Sequence, residues 1–206
     1  MMAIKTIDLE KRYKEKVAVK KLNLSIKQGE LFSLLGTNGA GKTTTIKMLS
    51  CLSKPTRGEA ILLGDSIVKN SLAVKEKIGV SPQETAVAPN LTVKENLQLI
   101  AELYGDNKKE AVKRANEMIE SFGLTEVAKS RAKTLSGGWQ RRLSIAMALI
   151  SNPQILFLDE PTLGLDVIAR RELWTIVKKL KGKITIILTT HYLEEAEALM
   201  GPREEL

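Results

Sequence analysis

Gly36-Thr37-Asn38-Gly39-Ala40-Gly41-Lys42-Thr43 carries glycine, glycine, lysine and threonine at the four fixed positions of a phosphate-binding loop. Each residue type has a physical reason. Glycines let the chain turn tightly enough for successive backbone N–H groups to converge on phosphate oxygens. A helix starting at the end of the loop adds the positive end of its dipole. Lys42 supplies a charge for the outer phosphates, and the Thr43 hydroxyl is a ligand suited to Mg²⁺. A second pair of reactive groups is Asp159-Glu160, directly after the apolar run Ile155-Leu156-Phe157-Leu158. A carboxylate at the tip of a buried strand is placed to hold Mg²⁺ opposite a phosphate loop. Its neighbour can orient or deprotonate an attacking water. The roles expected are therefore Asp159 for the metal and Glu160 for the water.

These groups need rigid elements beneath them. Leu31 to Leu35 is a short apolar run, expected as a strand buried on both faces, and a helix should follow the loop to about Leu52. Before it, Leu22, Leu24 and Ile26 alternate with polar residues, so the first thirty residues read as strands, and Ala60–Leu63 as another. From about 70 to 150 the pattern turns helical. Thr92 with Glu95 is a capping-box signature, a second helix runs from Lys108 to Phe122, and a third follows Ser136-Gly137-Gly138. A helix over about 170–181, the strand Ile184–Leu188 and a helix from Tyr192 to Leu199 complete the reading. The fold class expected is α/β: a phosphate-loop NTPase core with a mainly parallel sheet, an N-terminal antiparallel β subdomain and a helical subdomain over about 84–152. Residues 1–206 are read as one domain.

Composition removes other chemistries. One cysteine, Cys51, excludes an internal disulfide and any cysteine-based metal cluster, and one histidine, His191, excludes a multi-histidine centre. No apolar stretch of membrane-spanning length occurs and the start lacks an apolar signal core, so a cytoplasmic location is expected. The net charge of +8 is uneven. Residues 1–29 and 127–158 each carry a local +5, whereas 30–126 balances and 159–206 is −2. Such excess suits phosphate-bearing ligands, anionic lipid or nucleic acid.

Leu135-Ser136-Gly137-Gly138 resembles the signature motif of ATP-binding cassette (ABC) ATPases. Phosphate loop, signature and Ile-Leu-Phe-Leu-Asp-Glu-Pro occur in that order, with 23 residues from Ser136 to Asp159. Over nearly its whole length the chain is similar to the nucleotide-binding subunit of an ABC transporter. The resemblance implies ATP as substrate, with Gly36, Thr37, Asn38, Gly39, Ala40, Gly41, Lys42, Thr43 and Thr44 around its phosphates. It implies Tyr13 stacked on adenine, and Gln83 sensing Mg²⁺ beside the ligands Thr43 and Asp159. Lys42, Glu160 and His191 are the implied catalytic residues, His191 as a switch near the γ-phosphate, and Asp166 communicates between two ATP sites. Ser136, Gly137 and Gly138 would face the γ-phosphate held by a partner, so two ATP molecules are sandwiched in a head-to-tail dimer.

The implied partners are a second copy or related ATPase subunit and a membrane-spanning permease, which would hold the chain peripherally on the cytoplasmic face of the membrane. Arg141 to Ala146 and His191 to Ala196 resemble prokaryotic exporter subunits of the drug and antibiotic type. Two other readings fit parts of the sequence. A soluble ABC-type ATPase acting on nucleic acid or ribosomes gains from the +8, but one cassette and only eight aromatics make nucleic acid an unexpected partner. A degenerate cassette that binds without turnover conflicts with intact Lys42, Asp159, Glu160 and His191. Three departures stand out. Trp139 replaces a common glutamine, Leu163 replaces a small polar residue, and the sequence stops within seven residues of Leu199, where the family adds a strand pair and a helix. That short end is expected to deprive the last helix of packing partners and to lower stability.

Overall fold

The alternating N-terminal residues form β1 (Met2–Tyr13), β2 (Lys16–Leu22) and β3 (Ser25–Lys27) in the computed structural model, which describes residues 1–200 and side chains to 197. The chain continues through β4 (Leu31–Leu35), α1 (Lys42–Leu49), β5 (Arg57–Leu62), β6 (Asp65–Ser66), α2 (Ser71–Glu76) and β7 (Ile78–Ser81). Then follow α3 (Val93–Leu103), α4 (Lys108–Ser121), α5 (Gly137–Leu149) and β8 (Ile155–Asp159). The last elements are α6 (Val167–Lys178), β9 (Thr185–Thr190) and α7 (Leu193–Met200). Residues 201–206 lie outside the described residues, so the expectation for the chain end falls there. Before them, Glu195 and Ala196 in α7 are buried.

Two compact units divide this chain. The first comprises Met1–Val80, Gln154–Glu160 and the chain from Lys181 onward. It holds an antiparallel sheet in the order β2-β1-β5-β6, with β3 also paired to β1. It also holds most of a second sheet, β4-β9-β8-β7, in which β4 and β8 both run parallel to β9. Ile4, Leu9, Ile26 and Leu62 from the first sheet share one core with Ile46, Met48 and Leu49 of α1 and Ile155, Phe157 and Ile187 of the second. Each such side chain contributes about 1.5–3 kcal/mol on burial. The α/β class with a parallel core and an antiparallel N-terminal sheet is thus the observed one.

Three local expectations are corrected. Within β4 only Leu31 is buried, whereas Leu35 is 47% exposed, because β4 is the edge strand and its end runs out into the glycine loop. Helix α1 stops at Leu49, three residues early. Cys51 takes a left-handed φ of 58°, and the Leu52 N–H bonds back to the Lys47 carbonyl while that of Cys51 bonds Met48, a Schellman termination with cysteine in the glycine position. The region read as helical from 70 does open with α2 but then contains a strand, β7, four residues with a glycine inside, too short to show a two-residue period.

The second unit, Ser81–Pro153 with Pro161–Leu180, is helical. The capping box expected at Thr92 and Glu95 is formed at α3, and the structure adds a second, Asn107 with Glu110, at α4. Leu97 and Ala101 of α3 are buried, as are Ala111, Ala115 and Ile119 of α4, and α5 packs on both α3 and α6. Helix α6 begins at Val167, earlier than the spacing predicted, because the Asp166 carboxylate caps it by accepting from the Ala169 N–H at 2.9 Å.

Candidate active site

The glycine loop turns through two left-handed residues, Gly39 at φ 85° and Gly41 at φ 88°. At Gly41 glycine is obligatory for a second reason: a Cβ there would lie 2.3 Å from the Ala18 carbonyl oxygen of β2. The turn delivers Lys42 and Thr43 to the first positions of α1, with no side-chain cap on the N-terminus. Lys42 is buried at 9% exposure, and its ammonium donates to the Gly36 carbonyl at 2.6 Å and the Thr37 carbonyl at 3.2 Å. The same ammonium lies 3.1 Å from Glu160 Oε1, a buried ion pair.

Strands β8 and β9 bring the remaining groups together, since their parallel register sets Asp159 opposite Thr189. Asp159 Oδ1 accepts from the Thr43 hydroxyl at 3.1 Å and from the Thr189 hydroxyl at 2.6 Å. One residue on, Glu160 takes a left-handed φ of 48°, which costs a non-glycine residue roughly 1–2 kcal/mol. Its N–H donates to Thr189 Oγ1 at 2.9 Å. His191 Nδ1 donates to Glu160 Oε2 at 2.7 Å, because an ionised carboxylate can only accept. Behind it, the Thr190 hydroxyl donates to buried Glu195 at 2.8 Å and accepts from the Tyr192 N–H at 3.0 Å. Lys42, Thr43, Asp159, Glu160 and His191, chosen from the sequence, therefore share one connected network. Tyr13 stands at the end of β1, half exposed, with the Lys11 ammonium 5.1 Å from its ring centre. Thr37, Asn38, Gly39 and Ala40 are exposed along the loop.

The other chosen residues lie in the second unit. Ser136 sits at the N-cap of α5 with its side chain making no capping bond, followed by Gly137 and Gly138. Gly138 keeps α5 close to α6, for a Cβ on it would stand 3.0 Å from the Ala169 Cβ. An open cavity of about 320 Å³ is lined by Ser136, Trp139, Arg142, Asp166, Ile168 and Glu172, among others. Trp139 is occupied: the Arg142 guanidinium lies 4.8 Å from its ring and also pairs with Glu172. Leu163 is partly exposed. Gln83 is exposed, and the carbonyls of Pro82 and Gln83 accept from the buried Arg141 guanidinium at 2.7 and 2.6 Å.

A sequence model of the family described as ABC transporter matches residues 19–163. The chain belongs to that family. The linearmycin resistance ATP-binding protein LnrL of Bacillus subtilis is 45% identical over 193 residues, 93% of this chain and 62% of that protein. The doxorubicin resistance ATP-binding protein DrrA of Mycobacterium tuberculosis is 44% identical over 184 residues, 89% of this chain and 56% of that protein. The chain thus spans about three fifths of the length of these curated relatives. Among solved structures, a dimeric ATP-binding cassette in a post-hydrolysis state, bound to ADP and Pi, superposes with a TM-score of 0.84 at 33% identity. That match covers 94% of this chain and 90% of the other. Among the described residues no helix is long and apolar enough to cross a membrane.

Sequence reasoning assigns no site role to two residues that the structure brings forward. Thr189 carries no motif weight of its own and Arg141 enters only as the first residue of the exporter-like tract, yet each hydrogen-bonds to the backbone of a motif residue. For Thr189 the signal available was register: in parallel strands ending together, the residue opposite the first carboxylate is the one two places before His191.

Proposed function

We propose that this chain is the ATP-binding and hydrolysing motor subunit of an ABC transporter of the drug and antibiotic exporter type. The observation that carries the reading is the connected network joining Lys42, Glu160 and His191, through Thr189, with Thr43 and Asp159. ATP phosphates entering the loop compete with the Gly36 and Thr37 carbonyls and with Glu160 for the Lys42 ammonium. Withdrawal of Lys42 leaves Glu160 Oε1 able to accept a proton from water, while His191 still holds Oε2. Substrate binding and exposure of the base are thereby one event. His191 Nε2 remains for the γ-phosphate, and Tyr13 for adenine.

The donor set fits Mg²⁺. Thr43 Oγ1 and Asp159 Oδ1 are hard oxygen ligands 3.1 Å apart, and Gln83 offers a third oxygen in the family reading. When bound, the ion neutralises charge on the phosphates. Ser136 to Gly138 of one copy face the ATP of another, so closure requires two chains and opening follows hydrolysis. This agrees with the dimer of the similar cassette bound to ADP and Pi. A separate permease would supply the membrane path and the cargo site, and would hold the chain on the cytoplasmic face.

A Glu160→Gln variant run on a sizing column tests the reading. The expected result is a monomer alone and a dimer with Mg-free ATP; a monomer under both conditions overturns the composite site. Co-purification with ribosomes or RNA in place of a membrane-spanning protein would overturn the transport role.

A further inference from the structure

We infer that Thr189 is a positioning residue, setting both site carboxylates with one hydroxyl. The inference rests on the proposed roles of Asp159 and Glu160. Thr189 is fully buried on the central part of the parallel sheet, opposite Asp159 in the β8–β9 register. Its hydroxyl donates its only proton to Asp159 Oδ1 at 2.6 Å and accepts the Glu160 N–H at 2.9 Å. The two bonds run in opposite senses through one oxygen, so the geometry of each carboxylate constrains the other.

Each bond has its own consequence. Asp159 Oδ1 already accepts from Thr43, and the Thr189 proton completes that oxygen's neutral donors, fixing the carboxylate plane that must meet the metal. The Glu160 N–H belongs to a residue at φ 48°, a conformation that persists only where surroundings hold it. Thr189 Oγ1 is the acceptor that holds it. Without that acceptor a buried N–H loses its partner, and the backbone gains reason to leave the left-handed region. Glu160 would then carry its side chain away from Lys42 and His191, which grip Oε1 and Oε2 from opposite ends. Valine has threonine's shape and strand preference but neither bond, so it removes the chemistry and keeps the packing.

The test compares Thr189→Val, Thr189→Ala and Thr189→Ser in the full chain, with Asp159→Asn and Glu160→Gln as controls. Amide hydrogen exchange at Glu160 is read first and needs no turnover. Protection should fall about tenfold or more in the valine and alanine forms and persist in serine, one decade being the effect of about 1.4 kcal/mol. Mn²⁺ binding in the presence of ADP should weaken in the same two variants. In hydrolysis kcat should fall about 10- to 100-fold with KM for ATP unchanged, as expected of misplaced groups, and serine should restore most of it. Unchanged Glu160 protection, normal kcat in the valine form, or a loss that serine fails to restore overturns the inference. If Glu160→Gln itself keeps full turnover, the underlying assignment fails and takes this inference with it. A dead Glu160→Gln beside a fully active Thr189→Val sinks the role of Thr189 alone.

Discussion

The two units present their polar groups in opposite ways. In the first, every charged group at the loop is already partnered: Lys42 to two carbonyls and Glu160, Glu160 to His191, Asp159 to two hydroxyls. In the second, the N-terminus of α5 is exposed and Ser136 leaves its capping capacity unused beside an open cavity. A closed network must be broken by competition, so it responds to the chemistry of what enters. An uncapped helix start must be completed from outside, so it responds to whether a ligand arrives in the right place. On the proposed function, the first site would discriminate and the second would register arrival.

The largest effect should come from breaking the closed network. Lys42→Met is expected to lower kcat/KM for ATP roughly a thousandfold, measured by steady-state hydrolysis, since both a phosphate charge and the Glu160 partner vanish. The exposed site should behave differently. Gly138→Val forces α5 from Ala169, at a stability cost of about 1–3 kcal/mol, and should abolish ATP-driven dimerisation while a single chain still binds ATP. Equal loss of both would erase the distinction between the units. Smaller still is Asn107→Ala, which removes the cap of α4 for about 1 kcal/mol by chemical denaturation and should leave ATP binding untouched.

The smallest is a pH effect at α3. The Thr92 backbone N–H and hydroxyl hold the Glu95 carboxyl below the usual glutamate range. The folded state therefore binds that proton less readily than the unfolded chain. Its contribution is complete above the ordinary glutamate pKa and disappears as pH falls through the lowered value. The melting temperature of a Glu95→Gln variant should accordingly approach that of the parent chain only in acid.

How much was legible follows from where each signal resides. The phosphate loop, the carboxylates and the Thr92 capping box are local patterns set by neighbours in sequence, and the structure places them in the elements expected. The ends of elements were less legible. Helix α4 closes through Gly123 at φ 62°, with its N–H bonded to the Glu120 carbonyl and that of Leu124 to Ile119. The identical hydrogen-bond pattern closes α1 at Cys51, where no glycine announces it. Exposure of Leu35 was illegible because a strand's place at a sheet edge is a property of the whole order β4-β9-β8-β7. The contacts of Thr189 and Arg141 were illegible for the same reason, as their partners lie 29 and 58 residues distant.

Cys51 carries a further consequence. It is the chain's only thiol, half-buried at the end of the helix that the phosphate loop feeds, and burial raises its pKa above the ordinary value. Thiolate is the reacting form, so alkylation should be slow while the last turn of α1 is intact and fast when it opens. The rate of modification by a simple thiol reagent is thus a built-in gauge of how firmly that helix end is held, and of whether a nucleotide bound as proposed would tighten it, read at one site without any engineered label.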